Sequence, residues 1–285
     1  MAINNFDRVN NIAEDLSLLG AGAVVVLVGL SAVALVSGLT KVLVIAWAAF
    51  VAMTVGALVS SSTSSSYPRQ LVWGYGLASG AMVTSAAVFL LPQAISLNGR
   101  IGGFGVAAGI IVGYGAHVVG HRLSHIDIGL DVTAAQITAH ALSAGAIIGL
   151  VYGSMPGLGL LLGLAIVSHK GPAGYAAAHR LRRAGRSTSA LLLPAAAVGI
   201  TAIPAALLPV PEIAVVNAAV FGFAAGVFLH VAMDFLPSCE VGGEVDEVCS
   251  LSEHSHRHLD RLRVHAVAST FIGGFAVLGA WLLVT

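Results

Sequence analysis

Three ionisable side chains stand in the most apolar part of this 285-residue chain, where each needs a reason. His140 lies in ITAHALSAGAII, and His169 and Lys170 lie in LAIVSHKGPAGYAAAH, just ahead of Pro172. Imidazole is a ligand for zinc and neighbouring transition metals. An ammonium cannot ligate a divalent ion; a buried lysine that sheds its proton becomes a ligand or a proton carrier. Lys170 is one of only two lysines, the other being Lys41. Pro172 lacks a backbone donor and frees the carbonyl of Ser168, four residues back. Breaks of this kind at membrane depth line cavities and supply carbonyl ligands in transporters. The plain alternative is a hydrogen-bonded histidine pair beside an ordinary helix proline.

A second set lies nearer the chain's polar segments. His230 and Asp234 are spaced i, i+4 and share one helix face, and Asp234 is the only acid inside any predicted span except the terminal Asp131. The pair reads as exit-side metal ligands, as the counter-charge of Lys170, or as an interfacial pair that meets water. His117, His121 and His125 recur every four residues. Histidines at i, i+4 can chelate a metal, and this stripe could pass ions to Asp127, but a polar interfacial face explains it as well. Cys239, Cys249, His254, His256 and His258 share one loop. Thiolate and imidazole suit zinc, yet their spacing is not that of a structural finger. The loop reads as a low-affinity metal catcher or as merely solvated. The two cysteines make no disulfide framework.

The elements that must hold these groups follow from composition. Apolar residues make up 57% of the chain and charged ones 9%, against about 25% charged in a soluble domain. Mean hydropathy is +0.93. These values specify an all-α polytopic membrane protein. Net charge is zero, so nothing points to nucleic acid. A span takes about 20 apolar residues, and nine segments qualify: 18–38, 41–60, 71–93, 102–119, 131–152, 158–179, 189–208, 213–236 and 264–283. The first follows a stretch of mixed charge with no basic n-region, and reads as a retained helix rather than a cleaved signal peptide. The 34 glycines suit a tight bundle, because small residues let helices approach closely in lipid.

Arg69, Arg122, the cluster Arg180, Arg182, Arg183 and Arg186, and the group Arg257, Arg261 and Arg263 all fall in loops on one side. Lys41 and Arg100 are the exceptions. The positive-inside rule makes that side cytoplasmic, with the N-terminus inside and the C-terminus outside the cell membrane. Helices 5 and 6 then run in opposite directions and carry His140 and His169 at one depth near the midplane, where ionisable groups are expensive.

Helix 5 carries HALSAG at 140–145 and helix 6 carries HKGPAG at 169–174. Helix 3 ends AVFLLPQAI, and helix 8 reads AAGVFLHVAMDFLP. Together these resemble the ZIP family of divalent-metal transporters, whose two central helices carry histidine-led, glycine-closed motifs such as H-N-x-P-E-G. The resemblance covers residues 41–285. It implies an eight-helix transport domain with both ends outside, preceded by an extra helix within residues 1–40, and with a polar cytoplasmic loop at 238–263 whose HSHRH resembles the family's histidine-rich segment. The implied function is transport of a divalent transition metal, zinc foremost, with no enzymatic activity and no resident cofactor. The implied partners are the metal ion, membrane lipid and, as an option, a second copy in a homodimer. The sequence departs from the family where the motif carboxylates belong, at Ala144 and Ala173, and also at Ala141 and Lys170. The remaining ligands are His140, His169 and Ser143, with His230 and Asp234 towards the exit and Lys170 at the second ion's position. Losing both carboxylates also fits a ZIP-derived protein that binds or senses metal without moving it.

Two other classes compete. A retinal protein buries a lysine with an acidic partner, but in an aromatic pocket, and helix 6 offers only Tyr175. An intramembrane serine protease could use Ser143 with a histidine. Its Gly-x-Ser-Gly elbow is missing, GLSA at 29–32 being the nearest approach.

Overall fold

The computed structural model describes residues 3–62, 68–124, 132–155, 160–209, 213–237 and 255–283. Every regular element among them is helical. In chain order these are α1 (Ile3–Val36), α2 (Thr40–Ser62), α3 (Pro68–Ser85), α4 (Leu91–Ser124), α5 (Val132–Ser154), α6 (Leu160–Val167), α7 (Lys170–Arg183), α8 (Leu192–Ala206), α9 (Ala214–Asp234) and α10 (Ser255–Leu282). A π-helical segment, Ala86–Leu90, joins α3 to α4, and a 3₁₀ turn, Thr188–Leu191, leads into α8. Helices bond all their own backbone groups, which hydrocarbon demands.

Among the described residues, seven stretches are long and apolar enough to cross a membrane. One of them, Arg69–Gly115, spans 47 residues, which is two crossings' worth at about 20 residues each. It folds back on itself. Asn98 leaves helical geometry at φ −165° and ψ 105°, and its Oδ1 accepts the Ile101 N–H at 3.0 Å, capping the second arm. The arms then lie so close that a Cβ on Gly102 would come within 2.7 Å of the Ala94 carbonyl. Upstream, Pro92 cannot donate to Val88, and its ring crowds that carbonyl. The chain answers with the π turn, in which Leu91 N–H reaches back to the Ala86 carbonyl. Divided at Asn98, the described residues contain eight helices of crossing length. The ninth expected segment, 158–179, is not one helix: it is interrupted at Ser168 and His169, leaving α6 and α7, each too short to span alone.

The expected loop at 238–263 is also shorter than the sequence suggests. Its last part is helical from Ser255, because Leu259, Leu262 and Ala266 form an apolar stripe buried against Val72. His256 and His258 therefore belong to α10. Cys239, Cys249 and His254 lie outside the described residues, as do His125, Asp127 and Asp131. At the other end, the polar residues before the first span are already helical from Ile3.

The helices associate in parallel pairs along lines of small residues. Gly105, Gly109 and Gly113 of α4 face Gly222, Gly226 and His230 of α9 in that order. Gly145, Gly149 and Gly153 of α5 advance along Val198, Ala202 and Ala206 of α8, and Gly76 and Gly80 of α3 along Ser269 and Thr270 of α10. At most of these glycines an added Cβ would overlap the facing backbone, so the close approach itself requires glycine. Thr201 of α8 adds a hydrogen bond to the Leu142 carbonyl of α5 at 2.7 Å. Parallel packing requires each helix to pair with one that crosses in the same sense, never with its immediate neighbour in sequence.

The broken segment obeys the same rule. Along α2, Ile45, then Gly56, then Ser60 meet Gly163, Gly171 and Arg182 in turn. So α6 and α7 follow one another along α2 as a single interrupted rod. Tyr152 of α5 accepts the Gly163 N–H at 2.8 Å, which ties α6 to α5. A left-handed glycine, Gly185 at φ 67°, then ends α7, with Arg186 N–H returning to the Leu181 carbonyl at 2.8 Å.

Candidate functional site

The interruption between α6 and α7 puts His169 at the head of α7, and Ala173 N–H bonds to its carbonyl at 2.9 Å. Pro172 falls in the first turn of α7, where its missing N–H costs nothing. The break is thus placed just ahead of the proline that makes a continuous helix expensive. His169 is 1% exposed.

Across from it stands His140 of α5. The two Nε2 atoms are 3.3 Å apart, with ring centroids 5.5 Å apart and planes inclined by 52°. The main packing partners of α5 and α7 are α8 and α2, so the histidines meet where the two pairs touch. Phe228 of α9 closes one side, its ring edge-on to His169 at 6.1 Å between centroids. His140 Nδ1 is buried without a hydrogen-bond partner among the described residues. One imidazole can donate to the other, or both can turn lone pairs to a common ion. For zinc, bonds of about 2.05 Å at the tetrahedral angle separate two nitrogens by about 3.3 Å, so the gap has the width of one shared ion.

Lys170 follows immediately. It is 1% exposed, and its Nζ has no hydrogen-bond partner among the described residues. It is also the first residue of α7, at the positive end of the helix dipole, where a cation is least welcome. Burial, missing partners and dipole all oppose an ammonium here. Ala144 and Ala173, one turn beyond His140 and His169 on the same faces, are 2% and 4% exposed.

Ser143 is exposed, and its hydroxyl donates to the His140 carbonyl at 2.9 Å, along its own helix and not towards His169. Asp234 is not beside Lys170. Its Oδ2 lies 3.4 Å from His230 Nε2, with the side chains 41% and 12% exposed respectively. His230 packs against Gly113 and stacks edge-on with Tyr114 at 6.4 Å between centroids. Among the described residues no three histidine, cysteine or acidic side chains converge on one point. Ser31, the nucleophile position of the weak GLSA resemblance, is structural: its hydroxyl donates to the Leu27 carbonyl and accepts from the Trp47 indole at 3.0 Å. Sequence reading did not single out Phe228, whose role as a wall depends on which face of α9 is turned inward. No protein-family model matches this chain, and no curated protein is similar to it.

Proposed function

We propose that this protein moves a divalent transition-metal cation, zinc foremost, across a membrane through the gap between His140 and His169. The observation that carries the reading is the 3.3 Å approach of the two Nε2 atoms between separate helices. Buried polar atoms normally find partners, so the Nδ1 of His140 and Nζ of Lys170, without hydrogen-bond partners among the described residues, support a place kept for something other than packing. Two neutral imidazoles hold an ion weakly, which suits passage. Lys170 takes the position a second ion would occupy and keeps the site to one. Ser143 would join the ligands only by leaving its bond to the helix.

In the same reading α6 and α7 together make the ninth crossing, so that an eight-helix ZIP-like domain follows one additional helix. The arginines from Arg180 to Arg186 put the ends of α7 and α10's entrance on the cytoplasmic side, with the N-terminus cytoplasmic and the C-terminus outside. A second reading, metal binding or sensing without transport, draws on the absence of a third ligand among the described residues. Uptake of Zn²⁺, Mn²⁺, Fe²⁺, Co²⁺ and Cd²⁺ into proteoliposomes separates the two. Uptake that falls in His140→Ala and His169→Ala supports transport; metal binding that needs these histidines without any uptake supports sensing; neither removes the metal function from the gap.

A further inference from the structure

A hollow of about 400 Å³, open along one side, lies between α2, α3 and α7, within the size range of small-ligand pockets. Val59, Trp73, Leu77 and Pro172 line it with apolar surface, and Gly74 and Gly171 give it depth. These two glycines differ from those of the helix seams. A Cβ on Gly74 would lie 3.6 Å from Tyr175 Cδ1, and one on Gly171 would lie 3.6 Å from the Ala52 carbonyl oxygen, both ordinary contacts. Helix packing therefore does not require glycine at either place, and the missing side chains leave room for something else. The Trp73 indole N–H donates to His265 of α10 at 3.4 Å, which holds the ring as a wall.

The lining changes character along its length. Leu77 and Pro172 mark the apolar end, and Gln70 and Tyr175 the polar one, where the Tyr175 hydroxyl donates to Gln70 Oε1 at 2.8 Å. Arginines follow at that end. Arg69, exposed, precedes Gln70 on α3. Arg182, also exposed, lies two turns beyond Tyr175 on the same face of α7 and donates to the carbonyl of Ser60, the residue after Val59 in the α2 wall. Apolar surface, then amide and hydroxyl, then guanidinium is the order of partners that an acyl chain, its ester linkage and a phosphate would meet. Tryptophan and tyrosine also favour headgroup level, and guanidinium suits phosphate. We propose that this groove binds one anionic phospholipid, with an acyl chain along Leu77 and Pro172 and the headgroup between Arg69 and Arg182. The chain then packs on the first turn of α7, which begins at Lys170. The site requires the bundle to lie in a bilayer, and it requires no metal at the histidine gap.

Trp73 reports on its own groove. Trp47→Phe and Trp281→Phe leave it as the single tryptophan of the full-length protein. Its fluorescence is followed in phosphatidylcholine vesicles doped with lipid brominated on the acyl chain. Brominated phosphatidylglycerol should quench with an apparent affinity at least about 5-fold above that of brominated phosphatidylcholine, since one arginine near anionic lipid is worth about that factor. Arg69→Gln/Arg182→Gln should remove this preference, while Arg186→Gln, beyond the end of α7, should leave it intact. Equal quenching by the two lipids overturns the proposal, leaving only ordinary contact with the bilayer. Quenching by neither overturns it as well, because a second copy or another protein then covers the groove. A preference that survives the double substitution, or that Arg186→Gln removes equally, shows a general surface field and also overturns it. Should the double variant lose its monodisperse elution, Arg69→Gln alone, at an exposed position, decides by a fall of about 5-fold.

Discussion

The middle of the bundle and the end of the α4–α9 pair use the same side chain, histidine, in opposite settings. At His140 and His169 the neighbours are a lysine and two alanines, all buried, and no carboxylate is within the motif. At His230 the neighbour is Asp234, 41% exposed and 3.4 Å away. Depth explains the difference. A carboxylate held dry and unpaired costs several kcal/mol, so acids sit where water can still reach them. The central position instead holds two imidazoles and a single buried lysine. A pairing that is cheap at the end would be costly at the centre.

The comparison breaks most sharply on function. His169→Ala should reduce Zn²⁺ uptake into proteoliposomes by about 10- to 100-fold, whereas Asp260→Asn, in an exposed ion pair with Arg263, should leave it unchanged. Equal losses in both would mean that the centre has no special part. Next in size is Lys170→Met, which keeps the stem and removes a buried Nζ that has no hydrogen-bond partner among the described residues. It should stabilise the detergent-solubilised protein by about 2 kcal/mol in thermal unfolding, because replacing a buried charge with a matched apolar group often does. Destabilisation would show that Nζ has a partner in the folded protein. A smaller effect is expected from Gly113→Ala, which crowds the His230 ring and should cost about 1 kcal/mol. Its metal affinity at the His140–His169 pair should be unaltered, and a change there would couple the two regions. Asp234→Asn is the smallest, about 0.5 kcal/mol and weaker still in high salt, as for any half-exposed ion pair. A salt-insensitive loss of several kcal/mol would place Asp234 in the dry interior and erase the contrast.

Much of the scaffold was readable from hydropathy, because a bilayer imposes length and apolarity on anything that crosses it. The expected segments 41–60, 131–152 and 213–236 differ from α2, α5 and α9 by one or two residues at each end. The meeting of His140 and His169 was likewise expected from their common depth and the paired motifs. Ser143 is turned along its own helix for a local reason. Its hydroxyl bonds back to the carbonyl three residues earlier, a habit of serine in helices that spacing alone does not reveal. The proposed balancing of Lys170 by Asp234 failed because six residues separate Asp234 from Phe228, the α9 residue at the site, which is about 9 Å along the helix.

Composition and hydrophobic run lengths by themselves determined that this protein is a bundle of helices long and apolar enough to cross a bilayer, with histidines and a lysine set inside its apolar segments. Those are local properties, readable one segment at a time. Only the tertiary structure decided which helix lies against which: α4 beside α9, α5 beside α8, α3 beside α10 and the broken α6–α7 rod along α2. The glycines that permit these contacts are spread through nearly every helix, so each face could have met several others. The choice came from the fit of whole surfaces, where a one-residue change of register drives a Cβ into a facing carbonyl. That fit places two imidazoles 3.3 Å apart in the middle and sets the His230 ring against Gly113 at the edge, and neither contact exists until the helices are packed.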